Sequence, residues 1–204
     1  MKILYIETKR KLDNFNIDNL NFEILPEKIF LAYSIQYKNL AEKIKKKLQE
    51  IGKKVEGFRQ VLGCTKLKTK VPILLVGSGK FHAIQLALQG NEVYILEEQI
   101  KKLDEKEIEE IKNKRKSAII KFLAANKIGI LVSIKPGQYN LKKALFLQKK
   151  LEKEGKECFV FIADNINIEE LENYDIESWL NTACPALSFD SRIVNIEDLK
   201  YIFH

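Results

Sequence analysis

The sequence predicts an α/β protein of two repeated domains, each with a mainly parallel sheet flanked by helices. Two observations favour this fold. Short, continuous apolar runs alternate with charged segments of helical period along the 204 residues, which is typical of buried parallel strands joined by helices. In addition, a series of strand, Gln-Tyr turn, amphipathic helix and Gly-Lys occurs twice, which indicates a duplicated domain rather than a long repeat array.

The two copies of the repeat follow the same order along the chain. The first consists of strand 29–35, Gln36-Tyr37, helix 38–51 and Gly52-Lys53. The second consists of strand 128–134, Gln138-Tyr139, helix 139–154 and Gly155-Lys156. Because glycine is favoured just past a helix end, both helices are predicted to stop there. We therefore expect the two leading strands to superpose.

Further apolar runs complete each half of the chain. Strands are predicted at 73–76, 93–96, 158–163 and 178–182, and helices at 80–89 and 103–126. The helix at 103–126 is long and charged, and is predicted to lead from one domain to the next. The predicted organisation is 1–24, an N-terminal strand and connector; 25–100, a repeat domain with Cys64; 101–126, the linking helix; and 127–204, a repeat domain with Cys184. Within the connector, residues 3–6 are predicted to form a strand that belongs to neither repeat.

Composition and charge limit the class of protein. No apolar run approaches the roughly 20 residues of a membrane span, and the charged N-terminus does not resemble a signal peptide, so the expected location is the cytoplasm. The net charge of +7 would suit an RNA partner. However, the lysines alternate with glutamates on predicted helices and no arginine–aromatic cluster is present, so no direct nucleic-acid binding and no membrane partner are expected.

Candidate site residues follow the carboxyl ends of predicted strands, where parallel sheets place their ligands. The segments are Gly63-Cys64, Gly77-Ser78-Gly79-Lys80-Phe81-His82, Lys135-Pro136-Gly137-Gln138 and Ala183-Cys184-Pro185. Their glycines leave room for a ligand to approach the backbone, and a helix beginning beyond Gly79 or Gly137 would favour a carboxylate or phosphate. On its own, Gly-Ser-Gly is more often an ordinary strand-to-helix turn than a ligand site, and it fits neither the phosphate-loop nor the dinucleotide fingerprint.

The cysteines are the residues most suggestive of chemistry. Cys64 and Cys184 each end an apolar run, lie 120 positions apart and belong to no Cys-x-x-Cys motif. This spacing excludes a local zinc knuckle but permits a site built from both domains, with one thiolate from each. Cys158 lies inside a predicted strand and is expected to be a buried core thiol. His82 is one of only two histidines, so the chain has few imidazoles for a zinc site. In isolation, a histidine at this place is more often a hydrogen-bonded helix-start residue than a ligand.

Together the motifs resemble a known family. Val61-Leu62-Gly63-Cys64, the Gly77–His82 and Lys135–Tyr139 segments, and Asn181-Thr182-Ala183-Cys184-Pro185 occur in the order seen in diphthamide synthesis enzymes. The resemblance covers about residues 25 to 190 and includes Leu25-Pro26-Glu27-Lys28 and the basic segment 112–116. Each motif is short, and their joint order makes the match specific.

The resemblance implies three copies of one α/β domain around a four-iron four-sulfur cluster, with one cysteine from each domain. The open iron binds S-adenosylmethionine, and radical cleavage transfers its 3-amino-3-carboxypropyl group to a histidine of translation elongation factor 2. Archaeal members are homodimers and eukaryotic ones heterodimers. By this resemblance Cys64 and Cys184 are metal ligands, and S-adenosylmethionine is expected to contact Gly77, Gly79, His82, Lys135, Gly137 and Gln138. No residue is assigned a catalytic role.

Two departures from the family pattern shape the functional expectation. The first domain and its cysteine are not found, and Ala186 stands where the family usually has arginine after Ala-Cys-Pro. We therefore expect one subunit of a split diphthamide synthase, inactive and without a stable cluster until a partner chain supplies the third cysteine. Two alternatives remain: a non-catalytic relative that serves as scaffold or binds S-adenosylmethionine, and a simple nucleotide-binding α/β module, which would leave the cysteines unexplained.

Overall fold

The structure is a computed structural model that describes residues 6, 8, 10, 15–189 and 193–199. The chain forms two compact units, residues 1–108 and 109–204, and the division falls within one helix. Except for Ile6, the predicted strand 3–6 lies outside the described residues. No helix in the described part of the chain has the length and apolar character needed to cross a membrane.

The first unit contains a five-stranded sheet in the order β2-β1-β3-β4-β5. Its elements are β1 Lys28–Tyr33, α1 Lys38–Glu50, β2 Lys54–Gln60, β3 Ile73–Val76, α2 Lys80–Ala87, β4 Val93–Leu96 and β5 Ile100–Lys102. The first four strands are parallel, and β5 runs antiparallel to β4 at the edge. The apolar side of α1, with Ile44 and Leu48 fully buried, packs on the sheet face that bears Leu74 and Val76.

The second unit contains a four-stranded, wholly parallel sheet in the order β7-β6-β8-β9. It is formed by α3 Glu105–Ala124, which starts in the first unit, and by β6 Lys127–Ser133, α4 Leu141–Lys153, β7 Glu157–Ala163, β8 Ser178–Asn181 and β9 Ile193–Asn195. Leu147 and Leu151 of α4 and Phe122 of α3 share one core with Leu180. On another side of this unit, Trp179 packs edge-on against Phe161. These two sheets confirm the predicted α/β class.

The two units are built on one topology. β1 pairs with β2 and β3, and β6 pairs with β7 and β8, all in parallel. If the sheets are aligned on the first residues of β1 and β6, Lys28 and Lys127, then Phe30↔Ile73 of the first unit matches Gly129↔Trp179 of the second. This register makes residue-by-residue comparison of the two copies possible.

The helix ends of the repeat are also the same. After α1, the Lys53 N–H donates to the Leu48 carbonyl and the Gly52 N–H to the Gln49 carbonyl. After α4, Lys156 donates to Leu151 and Gly155 to Glu152 in the same way. Both glycines have positive φ, 80° and 84°, so both helices end in a Schellman motif, as their Gly-Lys sequences predict.

Several element bounds differ from the predicted ones. α2 ends at Ala87 rather than residue 89, because the chain turns at Gly90, whose φ is 88° and whose N–H donates to the Ala87 carbonyl. α4 starts at Leu141 rather than 139, after a turn closed by the Gln138 N–H and the Lys135 carbonyl. The three-residue strands β5 and β9 were not predicted, since so short a run carries no measurable period.

Candidate functional site

The carboxyl ends of β1 and β3 form the switch point of the first sheet. The strand order is β2-β1-β3-β4. Because crossovers between parallel strands are right-handed as a rule, this order sends the connections that follow β1 and β3 to opposite faces of the sheet. Such a point leaves a crevice that commonly binds ligands in α/β folds. Here it brings Ser34, which follows β1, beside Gly77, which follows β3: a Cβ added at Gly77 would lie 3.1 Å from the Ser34 Oγ. The glycine thus permits a close approach of the two loops.

A cleft of about 310 Å³ opens beside this switch point. Gly77, Ser78 and Gly79 form one wall, and Glu97 and Glu98, which follow β4, form another. Arg10 and Tyr37 complete the polar lining, and an Arg10 guanidinium nitrogen lies 2.5 Å from the Tyr37 hydroxyl oxygen. One positively charged residue, Arg10, and two negatively charged residues, Glu97 and Glu98, thus line one concave space, a combination suited to a small zwitterionic or cationic ligand.

Cys64 lies in the loop that follows β2, with its side chain exposed. The loop packs on α2 through Gly63, because a Cβ built there would lie 2.0 Å from a ring carbon of Phe81. Next to the cysteine, the Thr65 hydroxyl accepts the Leu62 N–H at 2.7 Å, and the Thr65 N–H donates to the Leu62 carbonyl at 2.9 Å. A tight turn thus carries the Cys64 thiol.

Two carboxamide side chains hydrogen-bond the backbone of the chain beyond Cys64. Gln89 accepts the Leu67 N–H at 2.8 Å and donates to the Thr65 carbonyl at 3.0 Å. Asn91 accepts the Thr69 N–H at 3.1 Å and donates to the Leu67 carbonyl at 2.7 Å. These side chains thereby take the place of a neighbouring strand. The segment after the cysteine is fixed without belonging to the sheet.

His82 lies in the first turn of α2, one residue beyond Phe81. Its ring packs edge-on to the Phe81 ring, with centroids 5.4 Å apart. Burial lowers the pKa of His82 below its ordinary value. The imidazole is therefore neutral at physiological pH, which leaves it available as a hydrogen-bonding group and not as a cation.

In the second unit, Cys184 follows β8 at the equivalent switch point. Its side chain is partly buried. The backbone around it is bonded by Asn181, whose Nδ2 donates to the Cys184 carbonyl at 2.8 Å and whose Oδ1 accepts the Ala183 N–H at 2.8 Å. The Leu187 N–H also donates to the Cys184 carbonyl, at 3.2 Å. The cysteine therefore lies in a hydrogen-bonded turn.

The segment Lys135–Gln138 follows β6, the strand next to β8. It forms a turn in which Gly137 has a φ of 78° and the Gln138 N–H donates to the Lys135 carbonyl at 3.0 Å. Asn140 joins this turn to the Cys184 loop, because its Nδ2 lies 3.3 Å from the Gln138 carbonyl and 2.9 Å from the Thr182 carbonyl. Asn140 thus links the turn that contains Gln138 to the loop that precedes Cys184.

Cys158 is buried in β7, as predicted, with 7% of its surface exposed. Burial, with a smaller contribution from the charge of Glu152, raises the pKa of Cys158 to about 11. Its carbonyl accepts a hydrogen bond from the Gln148 Nε2 at 3.0 Å. This thiol is a core residue, and in the described part of the chain no cluster of three or more His, Cys, Asp or Glu residues could hold a metal ion.

Cys64 and Cys184 do not occupy equivalent positions of the repeat. Cys64 follows β2, whereas Cys184 follows β8, the counterpart of β3. Within the first unit, the Cys64 loop and the Gly77–His82 segment meet through Gly63 and Phe81. That the two thiols face one cleft stays a prediction.

Several site residues were not singled out from the sequence. They are Arg10, Tyr37, Glu97 and Glu98 of the cleft, and Asn140, Asn181 and Asn195 of the second unit. Only Asn181 and Asn195 gave a usable signal, an asparagine directly after apolar strand residues in Trp179-Leu180-Asn181 and Ile193-Val194-Asn195.

Comparison with known sequences places the chain among diphthamide synthesis proteins. The family model for these proteins matches residues 1–194. A 2-(3-amino-3-carboxypropyl)histidine synthase of Pyrococcus horikoshii is 35% identical over 135 residues, which cover 64% of this chain and 40% of that protein. The corresponding enzyme of Methanocaldococcus jannaschii is 31% identical over 175 residues, covering 82% of this chain and 48% of its own length. The chain thus spans less than half of these relatives.

Comparison with solved structures agrees. The crystal structure of Dph2 from Pyrococcus horikoshii with a 4Fe-4S cluster superposes with a TM-score of 0.76 at 28% sequence identity. The match covers 88% of this chain and 58% of that one. The α/β architecture with mainly parallel sheets is therefore shared with a cluster-containing protein.

Proposed function

Because the chain belongs to the diphthamide synthesis family, we propose that it contributes Cys64 and Cys184 to the cluster site of a 3-amino-3-carboxypropyl transferase. One observation carries this proposal. Cys64 and Cys184, but not Cys158, have accessible side chains in loops at the carboxyl ends of parallel strands. Their thiolates are the donors that iron–sulfur clusters use.

The donor set fits two of the three cysteines expected for such a cluster. Cys158 does not qualify as the third, since it is buried with its pKa raised. We propose that the third thiolate comes from polypeptide outside residues 1–204. A separate partner chain is the source of this thiolate that can be tested directly, because the two chains can be expressed together. When bound, the cluster supplies the electron that cleaves a carbon–sulfur bond of S-adenosylmethionine.

We propose the cleft of the first unit as part of the S-adenosylmethionine site. Arg10 would bind the carboxylate of the methionine part, while Glu97 and Glu98 would stabilise its ammonium and sulfonium charges. The close backbone at Gly77 and Gly79 leaves space for the ligand. The volume of about 310 Å³ is sufficient for a small ligand. Neutral His82 is proposed to line the α2 side of this site.

In the second unit, Lys135, Gly137 and Gln138 are proposed to bind the same substrate. The turn is fixed by its own hydrogen bond and by Asn140, so that its side chains start from a rigid backbone. Lys135 would add a positive charge for a carboxylate, and Gln138 would donate from its amide. The protein substrate is proposed to be translation elongation factor 2, modified on a histidine carbon.

Cluster binding can be tested by anaerobic co-expression with a polypeptide that supplies the remaining domain and its one cysteine. We expect about four irons per complex and the electron paramagnetic resonance signal of a reduced 4Fe-4S cluster. Cys64→Ala and Cys184→Ala should each lower the iron content, whereas the matched control Cys158→Ala should leave it unchanged. Wild-type iron content and spectrum in either of the first two variants would overturn the ligand assignment.

Substrate binding is tested separately by calorimetry of the reconstituted complex with S-adenosylmethionine. Arg10→Met and Gln138→Ala should each weaken binding by roughly tenfold, because each removes a hydrogen bond to a charged group. Gln148→Ala serves as control, since this carboxamide bonds the Cys158 carbonyl in β7. Unchanged affinity in both site variants would contradict the proposed pocket.

A non-catalytic scaffold is the second candidate, and one observation favours it. Ala186, in the short helical turn Pro185–Phe189 after Cys184, replaces the arginine usual in the family and removes a cation from beside the cysteine. The two candidates differ in the complex with a complete cysteine set. Transfer of the labelled group from S-adenosylmethionine to elongation factor 2 identifies an enzyme. A bound cluster without transfer, restored by Ala186→Arg, identifies a relative that lost activity.

A further inference from the structure

We propose that Asn181 and Asn195 form a pair that positions Cys184, holding the cysteine backbone so that its thiol keeps one orientation. Both asparagines are buried, with 1% and 4% of their surfaces exposed. They end the neighbouring strands β8 and β9 and pair directly across them. The inference rests on the proposed function only in taking Cys184 as a ligand; the hydrogen bonds themselves are independent of it.

Asn181 uses both ends of its carboxamide on the loop. Its Oδ1 accepts the Ala183 N–H at 2.8 Å, and its Nδ2 donates to the Cys184 carbonyl at 2.8 Å and to the Asn195 Oδ1 at 2.7 Å. A backbone N–H can only donate, so the amide orientation is fixed by the Ala183 bond. Both Nδ2 hydrogens are then used in hydrogen bonds. The Asn181 side chain thus bonds the backbone on both sides of the Ala183–Cys184 peptide, at the Ala183 N–H and at the Cys184 carbonyl.

Asn195 supports Asn181 and extends the bonding beyond the cysteine. Its Oδ1 receives the second Asn181 hydrogen, and its Nδ2 lies 3.4 Å from the Pro185 carbonyl. Consecutive carbonyls of the loop, those of Cys184 and Pro185, are therefore bonded by two adjacent carboxamides. Neither group carries a charge, so the pair restrains the thiol without adding a charge beside it.

The first unit shows which residues occupy the positions of the two asparagines when no cysteine follows the strand. In the shared register, Phe30↔Ile73 corresponds to Gly129↔Trp179, so Leu75 stands at the position of Asn181 and Ile95 at that of Asn195. Leu75 and Ile95 are also cross-strand partners, with 1% and 3% exposed. The loop after β3 in that copy contains Gly-Ser-Gly and no cysteine.

This difference between the copies separates a positioning role from a packing role. Two apolar residues satisfy the sheet in the first unit, and burying a carboxamide costs free energy that its hydrogen bonds only offset. The amides occur in the copy whose following loop carries the cysteine and whose loop backbone they bond. Their hydrogen bonds therefore serve the loop, since the sheet pairing of β8 and β9 does not need them.

The test replaces the pair by the residues of the first unit. In a Cys64→Ser background, Asn181→Leu/Asn195→Ile should stay folded and should raise the alkylation rate of Cys184 by iodoacetamide by about tenfold or more, because the loop opens locally. Hydrogen exchange read by mass spectrometry should show faster exchange at 183–187 and unchanged exchange in β6. Asn181→Asp keeps the shape but has at most one hydrogen to donate, so it loses at least one of the two Nδ2 hydrogen bonds in either protonation state. It should therefore also raise the Cys184 alkylation rate.

The matched control is Gln148→Leu, which removes the same kind of bond, carboxamide to cysteine carbonyl, at Cys158. It should leave the Cys184 rate within about twofold of wild type. A folded pair variant or Asn181→Asp with a wild-type Cys184 rate would overturn the proposal, and if the pair variant does not fold, Asn181→Asp alone decides. No cluster is needed for these readouts, so failure of the proposed function leaves their result intact.

Discussion

Buried polar and ionisable side chains show how far single residues could be predicted from this sequence. Cys158 was predicted correctly, because a cysteine within a continuous apolar run has few other roles. Asn181 was quoted only as part of a motif, although it is 1% exposed and bonds the Cys184 loop. A single asparagine at a strand end produces no periodic pattern in the sequence. Its partner Asn195 can be identified only from the structure, which pairs β9 with β8.

His82 gives a pH dependence that belongs to this scale. Its folded-state pKa is lowered by burial, so below the ordinary value of 6.5 the unfolded chain binds a proton that the folded chain resists. The neutral His82 therefore leaves the free energy of unfolding undiminished above pH 6.5. This stability is lost as the pH falls through the lowered pKa of the folded state. When the pH is lowered from about 7 to about 5, the free energy of unfolding should fall less in His82→Gln than in the wild type, as measured by urea denaturation at each pH. An identical pH profile in wild type and variant would contradict the assignment.

At the scale of elements, the repeat pattern predicted α1, α4 and their neighbouring strands within a few residues. The reason is physical: Gly52 and Gly155 stop both helices by the same pair of backbone hydrogen bonds. Elements that depend on tertiary contacts were predicted less well. Examples are the early end of α2, where the Gln89 side chain bonds the Cys64 loop, and the short strands β5 and β9.

The contact between the Cys64 loop and α2 can be tested at Gly63. In Gly63→Ala the added Cβ would lie 2.0 Å from the Phe81 ring, so loop or ring must move. We expect a loss of about 1–3 kcal/mol in the free energy of unfolding and faster Cys64 alkylation. Phe81→Leu in the same chain should recover part of both changes, as a double-mutant cycle would show. Additive effects of the two substitutions would mean that this contact does not hold the loop.

For the whole molecule, the fold class and the presence of two copies were predictable, whereas the assignment of the cysteines within the copies was not. Each unit has a core of its own, around Leu48 in the first and Leu151 in the second, both fully buried. These leucines occupy the same position relative to the glycine that ends their helix. The molecule therefore contains a matched pair of sites for comparing the two units.

Leu48→Ala and Leu151→Ala should each lower the free energy of unfolding of their own unit by about 2–5 kcal/mol. Hydrogen exchange should then show lost protection in β1 and β3 for the first variant, and in β6 and β8 for the second. Each variant is the control for the other. Equal loss of protection in all four strands with either substitution would show that the two units unfold as one.

The identical ends of α1 and α4 have a consequence for how such a chain can be recombined. Lys53 reaches back to the Leu25 carbonyl before β1, and Lys156 reaches back to the carbonyls of Leu123 and Ala125 before β6. Each Gly-Lys junction therefore carries its backbone bonds and its long-range anchor with it. Genetic recombination between the two gene segments at this junction would join the first half of one copy to the second half of the other. The hydrogen bonds that end the helix would form again in the product. Unequal exchange at one codon pair could in this way lengthen or shorten the array by whole repeats without creating a new helix end.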